Sequence, residues 1–235
     1  MVARSSIGRR SLSAYVGSTR GLRSALARTG LLQRLDARVT PGRFSVATHA
    51  RSLLSVYDAV DLSVLDLPWW TYPAIRAVEE HLKSRGGSSR VFEYGAGAST
   101  LWLRARAGDV ISVEHDLEFL EMIEPHVLGA GGKGQLLGRP IRSDGRAGGA
   151  DGYVSSIDDV PGDFDLIAVD GRERVRCVAA ALPRLADGGV VLLDDSQRRR
   201  YRPALDMAGT MVTEYAGFVP TLPLPRRTAL IRRVG

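Results

Sequence analysis

The residues best suited to chemistry lie where short apolar runs give way to small or acidic side chains. Glu93-Tyr94-Gly95-Ala96-Gly97-Ala98-Ser99-Thr100 closes one such run, and its glycines let a ligand approach the backbone before a helix starts. A second run ends in Glu114, seventeen residues after Gly97. An acidic residue at that place accepts hydrogen bonds from both hydroxyls of an adenosine ribose. His115 follows at once and would flank the adenosine; His49, His81 and His126 have no partner spacing. Asp170 and the pair Asp194-Asp195 end two further runs. Ligands of open α/β sheets bind at the carboxyl ends of the strands, so all of these residues fall at the end where chemistry belongs.

Two cofactor classes meet this pattern. A nicotinamide or flavin dinucleotide calls for a third glycine, which allows close helix packing beside the pyrophosphate, and that position is Thr100. S-adenosylmethionine has no phosphate but carries an ammonium, a carboxylate and a sulfonium, so Glu93 has an electrostatic use with it that a pyrophosphate would oppose. The pattern favours S-adenosylmethionine. The reading without a cofactor is a tight strand-to-helix turn with Glu93 as a cap.

The elements that must position these residues are those of an α/β chain. Val91–Tyr94, Val110–Glu114, Phe164–Val169 and Val190–Leu193 read as strands alternating with helical stretches, the signature of βαβ units and a mostly parallel sheet. Gln135–Leu137 is a candidate strand inside the Gly-rich stretch 129–152, and Thr213–Val219 with Thr228–Arg232 predict an antiparallel finish. Upstream, Leu22, Ala25, Leu26, Leu32, Leu35 and Val39 recur at helical spacing with a break at Gly30. A second apolar set runs from Leu53 through Tyr57 to Leu65, and Pro73 opens a helix with Ala74, Ala77, Val78 and Leu82 on one face. The boundary is placed near Asp66, with residues 1–65 as an N-terminal helical cap and 66–235 as the main domain.

Composition narrows the classes further. With 44% hydrophobic and 25% charged residues in a chain of 235, disordered, collagenous and coiled-coil proteins are excluded. The longest aliphatic run is Val190–Leu193, far short of a membrane span, and no signal-peptide pattern opens the chain, so a cytoplasmic location is expected. Cys177 is the only cysteine, which leaves no intrachain disulfide and no thiolate zinc site. Residues 1–40 hold eight arginines and one acid, a balance of +7, so the other residues carry 6 − 7 = −1. Such an arm suits nucleic acid or an acidic membrane, but with no aromatic platform among the arginines a solvated helical face is the favoured reading.

The four runs Val91–Thr100, Ile111–Asp116, Phe164–Gly171 and Gly188–Asp195 resemble the successive motifs of class I S-adenosylmethionine-dependent methyltransferases. The resemblance implies a Rossmann-like, mostly parallel seven-stranded sheet with an antiparallel last strand. It implies further that Glu93, Gly95 and Gly97 border the methionine part, with Tyr94, Ala96 and Ser99 in the same loop. Glu114 would hold the ribose with His115 beside it, and Asp170 would sit next to the transferred methyl as the catalytic residue. The adenine contact does not carry over by motif, and Asp144 is the guess for it.

A narrower resemblance is to bacterial O-methyltransferases of sugars and small metabolites, several of which bind magnesium at the end of the fifth strand. Asp170, Asp194 and Asp195 are the candidate ligands, since hard carboxylate oxygens could hold a divalent cation that lowers the pKa of a substrate hydroxyl. The other reading is that Asp195 caps a helix and Asp194 orients Asp170. The arginines Arg172, Arg174 and Arg176 and the cluster Arg198, Arg199, Arg200 and Arg202 read as solvated, though Arg172 and the cluster would rim the site and attract an acidic substrate. Trp69, Trp70 and Tyr72 are core or substrate wall. The expectation is methyl transfer to a small acceptor, acidic or carbohydrate, with self-association through the N-terminal helices. The rival readings are an adenine-dinucleotide oxidoreductase and a non-catalytic cofactor- or nucleic-acid-binding module.

Overall fold

The computed structural model describes residues 17–19, 21–56, 58–141 and 149–234. Asp144, the guess for adenine, and Tyr57 lie outside the described residues. The N-terminal part is a string of short helices: α1 (21–28), α2 (Leu31–Asp36), α3 (Val46–Ser52) and α4 (Ala59–Val64). Gly30, at φ 73°, makes the break between α1 and α2 that only a residue without a Cβ adopts easily. Within this cap Arg51 is buried and binds Asp61 through both terminal nitrogens, at 2.9 and 2.8 Å, while its Nε donates to Asp36 at 2.6 Å. Arg23, from the basic arm, pairs with Asp58 and Asp61 at 2.9 and 2.7 Å, so part of the arm's charge is spent on the cap itself.

Helix α5 (Tyr72–Ser84) starts where Thr71 accepts from the Ala74 amide and Pro73 occupies the first turn. After it come β1 (Arg90–Tyr94), α6 (Ala98–Arg104), β2 (Asp109–Glu114), α7 (Leu117–Gly129), β3 (Gly134–Gly138), α8 (Asp151–Val154), β4 (Phe164–Val169), α9 (Arg174–Ala181), β5 (Leu185–Leu193), α10 (Arg202–Leu205), β6 (Thr210–Gly217) and β7 (Arg226–Arg233). The sheet order is β3-β2-β1-β4-β5-β7-β6, with β7 antiparallel to both neighbours and the other six strands parallel. The two C-terminal strands are as expected in order, but each begins a few residues earlier than its apolar pattern.

Both faces of the sheet are covered. Val91, Val110, Leu166, Val190 and Leu192 face α5 and α6, while Phe92, Ile111, Ile167, Val191 and Leu193 face Cys177 and Val178 of α9. The first apolar cluster also contains Ala59, Leu62, Leu65 and Leu67, so it runs through residue 66 without interruption. No helix among the described residues is long and apolar enough to cross a membrane. For the site, what matters is register. Tyr94 pairs with Val113 and Val169, and Val169 with Leu193, so Gly95, Glu114, Asp170 and Asp194 leave the sheet at one level. Strand order reverses between β1 and β4, and a cleft opens there.

Candidate functional site

The loop after β1 is shaped by two glycines that answer different demands. At Gly95 φ is 97°, and a Cβ there would lie 2.7 Å from the Gly171 nitrogen, because the loops leaving β1 and β4 touch. Gly97 has extended backbone, and a Cβ there would meet only Trp69 at 3.9 Å. The space beside Gly97 therefore belongs to the cleft. Thr100, at the place of a dinucleotide motif's third glycine, accepts from the Gly97 amide at 3.0 Å and donates to Glu93 at 2.5 Å.

Glu93 does not face the cleft. It is fully buried under the start of α6, where its carboxylate accepts from Ser99 at 2.5 Å, Thr100 at 2.5 Å and Ser112 at 2.6 Å. Burial pushes it up to about 7, against the pull of those hydroxyls. Glu93, expected to border the methionine part, is not among the residues that line the cleft, and its carboxylate ties β1 to β2 and α6. Tyr94 is likewise internal, its hydroxyl donating to the Val154 carbonyl at 2.6 Å. Ser99 lines the cleft floor while holding Glu93.

Glu114 is nearly buried and lines the cleft. One oxygen accepts from the Ala96 amide at 3.0 Å, the other from the His115 and Asp116 amides at 2.8 Å each. The carboxylate thereby fixes the glycine loop and leaves one acceptor site, on Oε2, for the cleft. His115 Nδ1 lies 2.5 Å from Glu114 Oε1, and its Nε2 accepts from Arg172 Nε at 3.1 Å, which places the ring's proton on Nδ1. The cleft has a volume of ≈ 550 Å³ and is lined also by Asp170, Arg174, Arg200, Tyr201 and Trp69.

Asp170 is held by Arg174, whose Nη2 donates to its Oδ1 at 2.5 Å. The same guanidinium donates to the Asp194 carbonyl at 2.5 Å and lies 3.8 Å from the Asp194 carboxylate. Asp194 accepts from Thr228 at 2.8 Å, and Asp195, at φ 54°, turns away to pair with Arg198 and accept from Gln197 at 3.0 Å. The three aspartates therefore do not converge, and among the described residues no group of three acidic, His or Cys side chains could hold a metal ion. The expected magnesium ligands do not fit a cation: Arg174 supplies the positive charge a metal would bring. Burial raises Asp170 and Asp194 above the usual carboxylate range, with Arg174 opposing it and neighbouring carboxylates adding to it. The pair keeps a proton to higher pH than isolated aspartates would.

Of the expected residues, Gly95, Ala96, Gly97, Ser99, Glu114, His115 and Asp170 share one cleft, while Glu93, Tyr94, Asp194 and Asp195 stand behind it. The residue the sequence reading missed is Arg174, taken there as solvated; the available signal was its spacing of four from Asp170.

No protein-family model matches this sequence, and no curated protein matches it. Among solved structures, an rRNA methylase from Streptococcus thermophilus matches with TM-score 0.50 at 14% identity, over 68% of this chain and 96% of that one. A ribosomal protein L11 methylase from Lactobacillus delbrueckii subsp. bulgaricus gives 0.47 at 16% identity, over 69% and 79%. A methyltransferase-like protein from Silicibacter pomeroyi gives 0.46 at 22% identity, over 67% and 85%. At 14% identity the likeness to the rRNA methylase is one of fold alone, and it agrees with the strand order: the chain has the Rossmann-like fold of class I methyltransferases.

Proposed function

We propose that this chain transfers a methyl group from S-adenosylmethionine to a hydroxyl of a sugar or other small metabolite. The observation that carries this reading is the placement of two carboxylates on one open cleft, Glu114 at the end of β2 and Asp170 at the end of β4, with the unfilled space of Gly97 between their strands. The residues fit such a cofactor, since a side chain at position 97 would fill the space left beside Trp69. When bound, it supplies a methyl already activated by the sulfonium.

The chain's own part is then positioning and proton handling. Glu114 accepts one hydrogen bond from the ribose diol at Oε2 while its backbone bonds keep the loop in place. Trp69 walls the methionine side. Asp170, raised in pKa by burial and steadied by Arg174, takes the proton from the acceptor hydroxyl. No step is assigned to magnesium, because the carboxylates that would bind it are held by Arg174, Thr228 and Arg198.

Calorimetry with S-adenosylhomocysteine should give one site per chain, and labelled S-adenosylmethionine should pass its methyl to a hydroxylated acceptor. The Asp170→Asn variant should keep the affinity and lose about 10²-fold or more in turnover. Folded protein without affinity for S-adenosylhomocysteine would refute the reading, and full turnover in Asp170→Asn would remove that residue from it.

A further inference from the structure

Five arginines line the cleft: Arg172, Arg174, Arg176, Arg198 and Arg200. Three of them are paired with carboxylates. Arg174 serves Asp170 and Asp194, Arg176 serves Asp151 and Glu173, and Arg198 serves Asp195. Among the described residues no carboxylate pairs with Arg172 or Arg200. What each does have is an uncharged partner that orients it. Arg172 donates to the neutral Nε2 of His115 at 3.1 Å, and Arg200 donates to the Tyr201 hydroxyl at 2.7 Å with its guanidinium 4.7 Å from the centre of that ring. Partners of this kind fix a guanidinium in place without neutralising it.

The two also have distinct places around the mouth. Arg172 follows Asp170 by two residues and reaches toward the Glu114 side through His115. Arg200 belongs to the turn Arg199–Tyr201 after β5, and the Tyr201 ring it packs on also receives the Arg174 guanidinium at 5.2 Å, next to Asp170. Both thus line one cleft, Arg172 from the loop after β4 and Arg200 from the turn after β5. Both are exposed, and a neutral acceptor that covered them would offer their charge no partner. An acceptor with its own anionic group would pair them instead.

We infer that Arg172 and Arg200 form an anion subsite for the acceptor, so that the substrate is a hydroxyl compound bearing a carboxylate or phosphate. This rests on the methyl-transfer reading, and it gives the substrate a direction: anion at the mouth, hydroxyl toward Asp170.

The test is titration of inorganic phosphate, and separately of acetate, into protein saturated with S-adenosylhomocysteine, for wild type, Arg172→Gln, Arg200→Gln and the control Arg202→Gln, whose arginine pairs with Asp206 outside the cleft. Wild type and control should bind at least one of the two anions saturably, and each cleft variant should bind it about tenfold more weakly with unchanged affinity for S-adenosylhomocysteine. Whichever anion binds names the acceptor's charged group. The inference is overturned if wild type binds neither anion, if both cleft variants bind as wild type does, or if their loss falls on S-adenosylhomocysteine, which would put the guanidiniums on the cofactor's carboxylate. Wild type with no affinity for S-adenosylhomocysteine would defeat the methyl-transfer reading, and the same titration on the free protein would still decide the subsite.

Discussion

Arg174, the first residue of α9, reaches back over the loop 171–173 to Asp170, donating from Nη2 to the Asp170 carbonyl at 2.6 Å and to its Oδ1 at 2.5 Å. From Nη1 it donates to the Asp194 carbonyl at 2.5 Å, so one side chain joins the ends of β4 and β5. A buried guanidinium with these partners neutralises the acidic corner and sets the direction of the Asp170 carboxylate.

Arg174→Ala should therefore cost about 3 to 5 kcal/mol in urea unfolding, the scale for breaking a buried pair and leaving charge uncompensated. In the wild type, magnesium and a chelator should each leave the melting temperature unchanged, because the corner already holds its cation. A melting temperature that rises with magnesium at millimolar concentration would restore the metal reading.

The two loop glycines should separate folding from binding. Gly95→Ala places a Cβ 2.7 Å from the Gly171 nitrogen at φ 97°, so it should destabilise the fold by about 1 to 3 kcal/mol. At Gly97 a Cβ meets only Trp69 and the backbone is extended, so Gly97→Val should fold as wild type does and lose affinity for S-adenosylhomocysteine. Thermal melts and calorimetry on the same two proteins check both halves, and a Gly97→Val protein that binds normally would show that the cofactor does not pass there.

The strand ends were legible because the middle of the sheet is buried on both faces, so apolar runs stop where strands do, at Tyr94, Glu114, Val169 and Leu193. The start of β4 at Phe164 was legible too, and those of β1 and β2 to within one residue, but the starts of β5 and β6 were not. In β5 the exposed Asp187-Gly188 separates the buried Leu185 from the apolar run, and β6 at the sheet edge is largely exposed along its length, so neither start carries a continuous apolar pattern. At the site, strand-end residues could be placed from the order of elements alone. The role of Glu93 could not, since its partners Ser99, Thr100 and Ser112 meet it only through the turn into α6 and the pairing of β1 with β2. Arg174 was hidden for a similar reason: Glu173, at φ 49°, starts the helix so that Arg174 turns inward while Arg172 and Arg176 stay exposed.

Glu114 holds three backbone amides as well as facing the cleft, so its removal should act on both loop and ligand. Glu114→Ala should weaken S-adenosylhomocysteine binding by about 1 to 3 kcal/mol, the scale for hydrogen bonds to a charged group. Glu114→Gln keeps one carbonyl acceptor and should lose less. Affinity unchanged in a folded Glu114→Ala protein would take the residue out of the ribose site.

Glu93 offers a test by pH. Burial raises its carboxyl from 4.5 to about 7, with the hydroxyls of Ser112, Ser99 and Thr100 opposing and the charge of Asp170 adding. A folded-state pKa above the unfolded one means that the folded form holds the proton more tightly. The stability this contributes is fully present below pH 4.5 and is lost as pH rises through 7. Glu93→Gln preserves the shape but does not titrate. Relative to that variant, the wild type should lose about 3 kcal/mol of unfolding free energy between pH 4.5 and 7.5 and stay level beyond, from roughly 1.4 kcal/mol per pKa unit. Urea unfolding of both proteins across this range makes the measurement, and the effects of titrating groups not coupled to Glu93 cancel in the difference. A level difference would mean that the three hydroxyls hold Glu93 ionised throughout, so that its burial carries no pH dependence.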